Sequence, residues 1–181
     1  MDKDELEKLY TQHFPRVYRT AFYMTGDHQT SEDIVQETFL KAFANLHKLQ
    51  DRQKFGSWVS VIASNYAVDL LRKHKKIFIS DNIEEFGGEA HDDNPSTSLE
   101  RKENIREIRE ALARLEPEDR EILVLKYFNE LSINEIASML AAPPGTIKSR
   151  LFRARDKVRL LLQPQDGIKR PITKEKLPLK F

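Results

Sequence analysis

Apolar positions along this chain recur at helical spacing in separated stretches. In residues 31–46, SEDIVQETFLKAFANL, the residues Val35, Phe39, Ala42, Phe43 and Leu46 fall on one stripe. Ser31 followed by Glu32 and Asp33 supplies a start signal for that helix. Its opposite face carries Asp33, Gln36, Glu37 and Leu40, again at helical spacing. A second helix is predicted from Phe55 to Lys76, with Val59, Ile62, Ala63, Tyr66 and Leu70 as its core stripe. Trp58, Val61, Asn65, Val68 and Arg72 lie off that stripe, and the helix ends in the basic run Arg72-Lys73-His74-Lys75-Lys76.

The second half of the chain repeats the pattern in shorter pieces. Ile105, Ile108, Leu112 and Leu115 predict an amphipathic helix broken at Glu116-Pro117, and another is predicted from Pro117 through Phe128. Ser132-Ile133-Asn134-Glu135 has the S-x-x-E form of a capping box, opening a short helix through about Leu140. Ala141-Ala142-Pro143 makes a turn, and Pro144 suits the first position of a further helix. In that last helix Ile147, Leu151, Ala154, Val158 and Leu161 form a narrow core-facing stripe. Lys148, Ser149, Phe152, Arg153 and Asp156 face away, with Thr146 at the N-terminal end and Arg150 and Arg155 at the stripe edges. Short helix, tight turn and longer basic helix together spell helix-turn-helix.

Composition narrows the class further. Thirty Lys and Arg against 29 Asp and Glu leave a net charge of +1, and six Gly in 181 residues are too few for a turn-rich all-β fold. No run approaches the roughly 20 apolar residues of a membrane span, and no apolar run follows the acidic start, so neither a signal peptide nor a membrane anchor is expected. The absence of Cys excludes disulfides, thiol catalysis and cysteine-ligated metal sites. These features predict an all-α intracellular protein.

Charge is unevenly distributed. Residues 1–79 are net +2, residues 80–104 net −6 and residues 105–181 net +5, while 145–181 alone reaches +8. The stretch 80–98, SDNIEEFGGEAHDDNPSTS, is too polar to offset ordering entropy by burial and reads as an acidic flexible linker. The expected organisation is therefore a helical domain over 1–79, the linker over 80–98, a second helical domain over 99–162 and a basic tail over 163–181.

The charge asymmetry points to a polyanion, although a solvated helix face with a loose tail has the same composition. Basic residues beside exposed aromatics, as at the end of the Phe55–Lys76 helix, also hold single-stranded nucleic acid, while a basic last turn alone serves the helix dipole. An exposed Phe152 among Lys148 and Arg153 suits contact with a thymine methyl or sugar, the cations suiting guanine edges or phosphates. Asp33 and Glu37 at i and i+4 are an alternative metal pair, but carboxylates so spaced on surface helices are usually unliganded, no HExxH partner set is present and the five His share no ligand spacing, so neither a metal nor a cofactor is expected.

SEDIVQETFLKAF, FGSWVSVIASNYAVDLLRKHKK, LEPEDREILVLKYFNELSINEIASML and PPGTIKSRLFRARDKVRLLL occur in this order. That succession resembles the extracytoplasmic-function (group IV) sigma factors of the sigma-70 family, over roughly residues 5–162. The resemblance implies two helical domains, region 2 and region 4, and a non-enzymatic, cytoplasmic promoter-specificity subunit of bacterial RNA polymerase. It implies that Asp33, Gln36, Glu37 and Leu40 dock on the beta-prime clamp helices, with the beta flap as a second polymerase contact. Asn65 matches a pocket for a base flipped from the −10 element. Trp58 and Tyr66 fall where promoter melting occurs, and Arg72, Lys73, Lys75 and Lys76 would meet −10 phosphates. Thr146, Lys148, Ser149, Arg150, Phe152, Arg153 and Arg155 would address the −35 duplex. An anti-sigma factor is an implied further partner, and the acidic linker would thread into the polymerase's basic channel. The turn Ala141-Ala142-Pro143-Pro144 departs from the Gly or polar residue usual there, and the tail is longer than usual.

Overall fold

The computed structural model describes residues 3–74 and 105–162; Lys75, Lys76, the predicted linker and the predicted tail lie outside them. The described residues form helices α1 (Lys3–Thr25), α2 (His28–Ala44) and α3 (Phe55–His74), then α4 (105–113), α5 (Pro117–Leu123), α6 (Ile133–Met139) and α7 (Pro144–Leu161). The helix-only character expected from the periodicity is what these residues show.

The periodicity reading does not delineate α1, the longest helix among the described residues, which contains Pro15. Its C-terminal half is the most apolar: Val17, Tyr18, Ala21, Phe22 and Met24 are buried. It ends at Gly26, whose φ of 72° is a left-handed conformation that a residue without Cβ adopts cheaply. Asp27 then caps α2 by accepting the Thr30 amide at 2.7 Å. This corrects the predicted start at Ser31. Ser31 lies one turn inside the helix, fully buried, with its hydroxyl donating to the Asp27 carbonyl at 2.5 Å. Val35, Phe39, Ala42 and Leu46 are buried as expected, joined by Ile34 and Thr38, while Phe43 is half-buried. Helices α1, α2 and α3 pack mutually around this core.

In the second half, α5 runs without interruption into a wide π turn, Val124–Phe128, closed by the Asn129 amide on the Val124 carbonyl at 3.1 Å. Glu130 follows in a left-handed conformation, φ 57°, and the chain then enters the Ser132 capping box. Ile108, Leu112, Leu115, Ile122, Leu125, Ile136, Ile147, Leu151, Ala154 and Val158 make the core between α4, α5, α6 and α7.

The two halves are docked on each other, and this overturns the wheel drawn for α3. Ile62, Tyr66 and Leu70 from the predicted stripe are only half-buried, whereas Val61 and Val68, predicted to lie off it, are buried. Val61 belongs to the core of the second half, and Val124 of the second half belongs to the core of the first. The physical reason is that α3 buries two faces, one against α1 and α2 and one against α5. Polar contacts complete the docking. The Arg16 guanidinium donates to the Asn129 side-chain and backbone oxygens at 3.1 and 2.6 Å, and the Asn129 amide donates to Thr20 Oγ1 at 3.0 Å. Tyr23 packs at a tilt against Phe128, with 3.8 Å between ring centroids, and the Arg109 guanidinium lies 4.4 Å above the Phe22 ring.

Candidate nucleic-acid interface

The turn before α7 is tight because Ala141 adopts φ 50° and the Ala142 amide returns to the Ala137 carbonyl at 2.9 Å. Pro143 is the N-cap residue and Pro144 opens the helix, where the missing amide hydrogen is no loss. Ile147, Leu151, Ala154 and Val158 anchor α7 on α5 and α6. Thr146, Lys148, Ser149, Arg153 and Arg155 are exposed, and Phe152 presents an unusually open aromatic ring, 73% exposed. Arg150 is half-buried and lies within electrostatic reach of Glu121 on α5. Asp156 pairs with Arg159 at 2.6 Å, and Lys157 reaches Asp119 of α5 at 2.6 Å. The outward face of α7 therefore carries one aromatic ring among cations, the chemistry of a duplex-reading surface.

Leu161 departs from its prediction, being 37% exposed beside the exposed Leu160. Leu162, the C-cap residue, packs on the core in its place.

In the first half, Asp33, Gln36 and Glu37 are exposed along α2, and Leu40 is 66% exposed on the same face. A large apolar side chain held open among carboxylates fits a protein-binding face better than bare surface. On α3, Asn65 and Lys73 are exposed, while Trp58 and Tyr66 are half-buried and lean on the bundle core, Trp58 against Phe55 at 6.0 Å. Arg72 is exposed but engaged: its Nε donates to Glu118 Oε1 of α5 at 2.6 Å. Lys75 and Lys76 lie outside the described residues. Among the described residues no group of three or more His, Asp or Glu side chains is placed to hold a metal, and no helix is long and apolar enough to cross a membrane.

Several residues that fix this arrangement escaped the sequence reading. Arg120 is buried, donating to the carbonyl oxygens of Met24, Ala113 and Leu115, and so ties the ends of α1 and α4 together. Burial pulls its guanidinium down to about 10, which still leaves it charged at neutral pH. Glu121 is buried beside it, its carboxylate accepting Ser64 Oγ of α3 at 2.8 Å. The signal was present: positions 120 and 121 share the helical phase of Val124 and Leu125, so two charges sit where the pattern calls for apolar side chains.

Comparison with known proteins agrees with this geometry. Sigma-70 region 2 matches residues 9–77, and Sigma-70, region 4 matches residues 105–158. The chain is 30% identical over 171 residues to the ECF RNA polymerase sigma factor SigW of Bacillus subtilis, covering 90% of this chain and 91% of that protein. It is 32% identical over 157 residues to SigM of the same organism, covering 86% and 94%. Its fold resembles that of the sigma factor RpoE of Bartonella quintana, solved with the anti-sigma factor NepR, at a TM-score of 0.64, 24% identity and coverage of 87% and 96%. The exposed helix-turn-helix and the open α2 face are thus parts of one inherited pair of regions, and the chain belongs to the ECF RNA polymerase sigma factors of the sigma-70 family.

Proposed function

We propose that this protein directs bacterial RNA polymerase core to specific promoters, with residues 1–79 serving the core and the −10 element and residues 99–162 serving the −35 element. The acidic α2 face of Asp33, Gln36, Glu37 and Leu40 docks on the beta-prime clamp helices. Asn65, Trp58 and Tyr66 receive the −10 strand, with Arg72, Lys73, Lys75 and Lys76 on its phosphates. Thr146, Lys148, Ser149, Arg150, Phe152, Arg153 and Arg155 engage the −35 duplex. The protein forms no bonds itself. Strand opening draws on binding energy, because unstacking a base costs a few kcal/mol and capture in a pocket offsets it. It works in the cytoplasm, with an anti-sigma factor as its regulator.

The observation that carries this reading is the pairing of two open faces on one chain: Leu40 among acids on α2, and Phe152 among cations on α7. The first suits a protein and the second suits DNA. A gel shift on promoter DNA with the protein alone and with core polymerase tests the pairing. Strong specific binding is expected only with polymerase, and tight binding by the chain alone would favour an operator-binding regulator. Asp33→Arg combined with Glu37→Lys should abolish co-purification with core while leaving helicity by circular dichroism unchanged. Undiminished co-purification would remove the α2 face from the interface.

A further inference from the structure

Helix α5 meets α3 through two carboxylates in unlike surroundings. Glu118 is half-buried and takes Arg72 as an ionic partner. Glu121, one turn further, is 5% exposed and receives the Ser64 hydroxyl. A hydroxyl supplies a hydrogen bond and no charge, so an ionised carboxylate there loses its hydration without a direct cation in exchange. The charged groups within electrostatic reach are Glu118 on α5 itself, Arg150 on α7 and Arg72 on α3. From α1 the groups facing the docked surface are Arg16 and Tyr23, which engage Asn129 and Phe128 instead, and the neighbouring Arg120 spends its donors on the Met24, Ala113 and Leu115 carbonyls.

We propose that Glu121 makes the docking of the two helical units proton-sensitive. The closed form holds Glu121 as a neutral acid against Ser64. Loss of that proton to solvent drives α5 off α3 and separates Arg72 from Glu118. The consequence for DNA rests on the function proposed above, since Arg72 is there assigned to −10 phosphates, with which Glu118 competes in the closed form. Glu118 stands in for a phosphate in the closed form.

The direction follows from burial. Desolvation pushes the closed-form carboxyl up to about 7, with Glu118 adding to the rise and Ser64, Arg150 and Arg72 opposing it; an exposed Glu in the open form returns to 4.5. The closed form therefore binds the proton more tightly, and closure weakens as pH rises. Linkage between those two values makes the closed-to-open ratio fall about tenfold from pH 6 to pH 8.

The full chain contains no Cys, so Lys8→Cys and Arg114→Cys, on exposed positions of α1 and just after α4, place a donor and an acceptor dye on the two halves. Energy transfer in the otherwise wild-type chain should fall as pH is raised from 6 to 8, and Glu121→Gln should keep it high and flat. Flat transfer in the wild-type background, or an unchanged slope in Glu121→Gln, would overturn the proposal. A carbon-13 titration of the Glu121 carboxyl in the unsubstituted chain provides a check that needs no folded variant: a midpoint near 7 supports the proposal, and a midpoint near 4.5 overturns it. Neither measurement contains DNA or polymerase, so failure here leaves the promoter reading standing, and failure of the gel shift leaves the clasp standing.

Discussion

Helices α3 and α7 are of similar length, 20 and 18 residues, and both carry cations proposed to meet promoter DNA, yet their outward faces have different fates. The face of α7 opposite its core is open from Thr146 to Arg155, with Phe152 at its centre. The corresponding face of α3 is partly covered: Val61 and Val68 are buried, Ser64 binds Glu121 and Arg72 binds Glu118. The difference lies in how many partners each helix has. Helix α7 packs on α5 and α6, both close in sequence, so one stripe serves one core. Helix α3 serves two cores, and its second set of partners lies 46 to 57 residues further along. The lesson is that a helix's apolar faces can be read from its own sequence, but which of them is free depends on segments far away.

The largest effect should come from the buried cation that joins the two halves. Arg120→Ala leaves the Met24, Ala113 and Leu115 carbonyls without their donor and should cost about 3–5 kcal/mol, the range for removing one partner from a buried charged network. Arg153→Ala, on the open face of α7, should change stability by less than about 0.5 kcal/mol. Denaturant unfolding of the two variants compares them directly. Equal losses would mean that the outward face of α7 is held by the fold and is not free for DNA.

That contrast also explains what was legible in the sequence. The capping box at Ser132, the α7 stripe through Val158 and the opening proline were readable because each depends on residues within a turn or two. The α2 start was misplaced because Ser31 imitates a cap, whereas Asp27 holds the cap geometry behind the left-handed Gly26. Helix α1 was not delineated, and its Pro15 is a residue that usually interrupts helical periodicity. The docking of the halves was invisible to periodicity. Arg16 and Asn129 are 113 residues apart, and no local rule pairs them. The exposure of the α2 and α7 faces was legible because it is a local property of an amphipathic helix; the engagement of Arg72 was not, because its partner is on another helix.

A middle-sized effect separates base reading from phosphate anchoring on the open face. Replacing Lys148 or Arg153 with Ala should cost about 1–3 kcal/mol of holoenzyme binding on the matching −35 element and relax preference at one base. Arg155→Ala should weaken all −35 sequences alike and reduce the slope of binding against salt by about one unit. Binding to single-base −35 variants at several salt concentrations reads both. Uniform losses in all three variants would leave α7 as an anchor alone.

Each half also carries an α-helix with a side-chain cap, which compares them at equal footing. Asp27→Ala in the first and Ser132→Ala in the second should each cost about 1 kcal/mol. Both sites should depend on acid, the first through Asp27 itself and the second through Glu135, whose carboxylate accepts the Ser132 amide at 2.8 Å and is held below its ordinary 4.5 by hydrogen bonding to Ser132. The hydrogen bonds from Thr30 hold the Asp27 carboxyl below its ordinary 3.8, so its contribution is complete above that value and is lost as pH falls through the lowered one. Asp27→Asn should keep the cap and lose this acid dependence. Unfolding curves at pH 6 and pH 2.5 test it, and an equal acid dependence in Asp27→Asn would assign that loss to another carboxylate.

The smallest effect is expected where the α3 face meets α5 at its edge. The Arg72 side chain is 58% exposed even while paired with Glu118, so water screens most of the attraction and both side chains give up rotamer freedom to meet. A double-mutant cycle on Arg72→Ala and Glu118→Gln should give a coupling below about 1 kcal/mol at 0.1 M salt. At 1 M salt, where the screening length shrinks to about 3 Å, the coupling should approach zero. A weak pair is what the proposed function needs: Arg72 must be released to a phosphate without a large penalty. A coupling above about 2 kcal/mol that survives high salt would place this pair among the buried charges. It would then behave as part of the fold, and the covered face of α3 would be unsuited to exchange Glu118 for DNA.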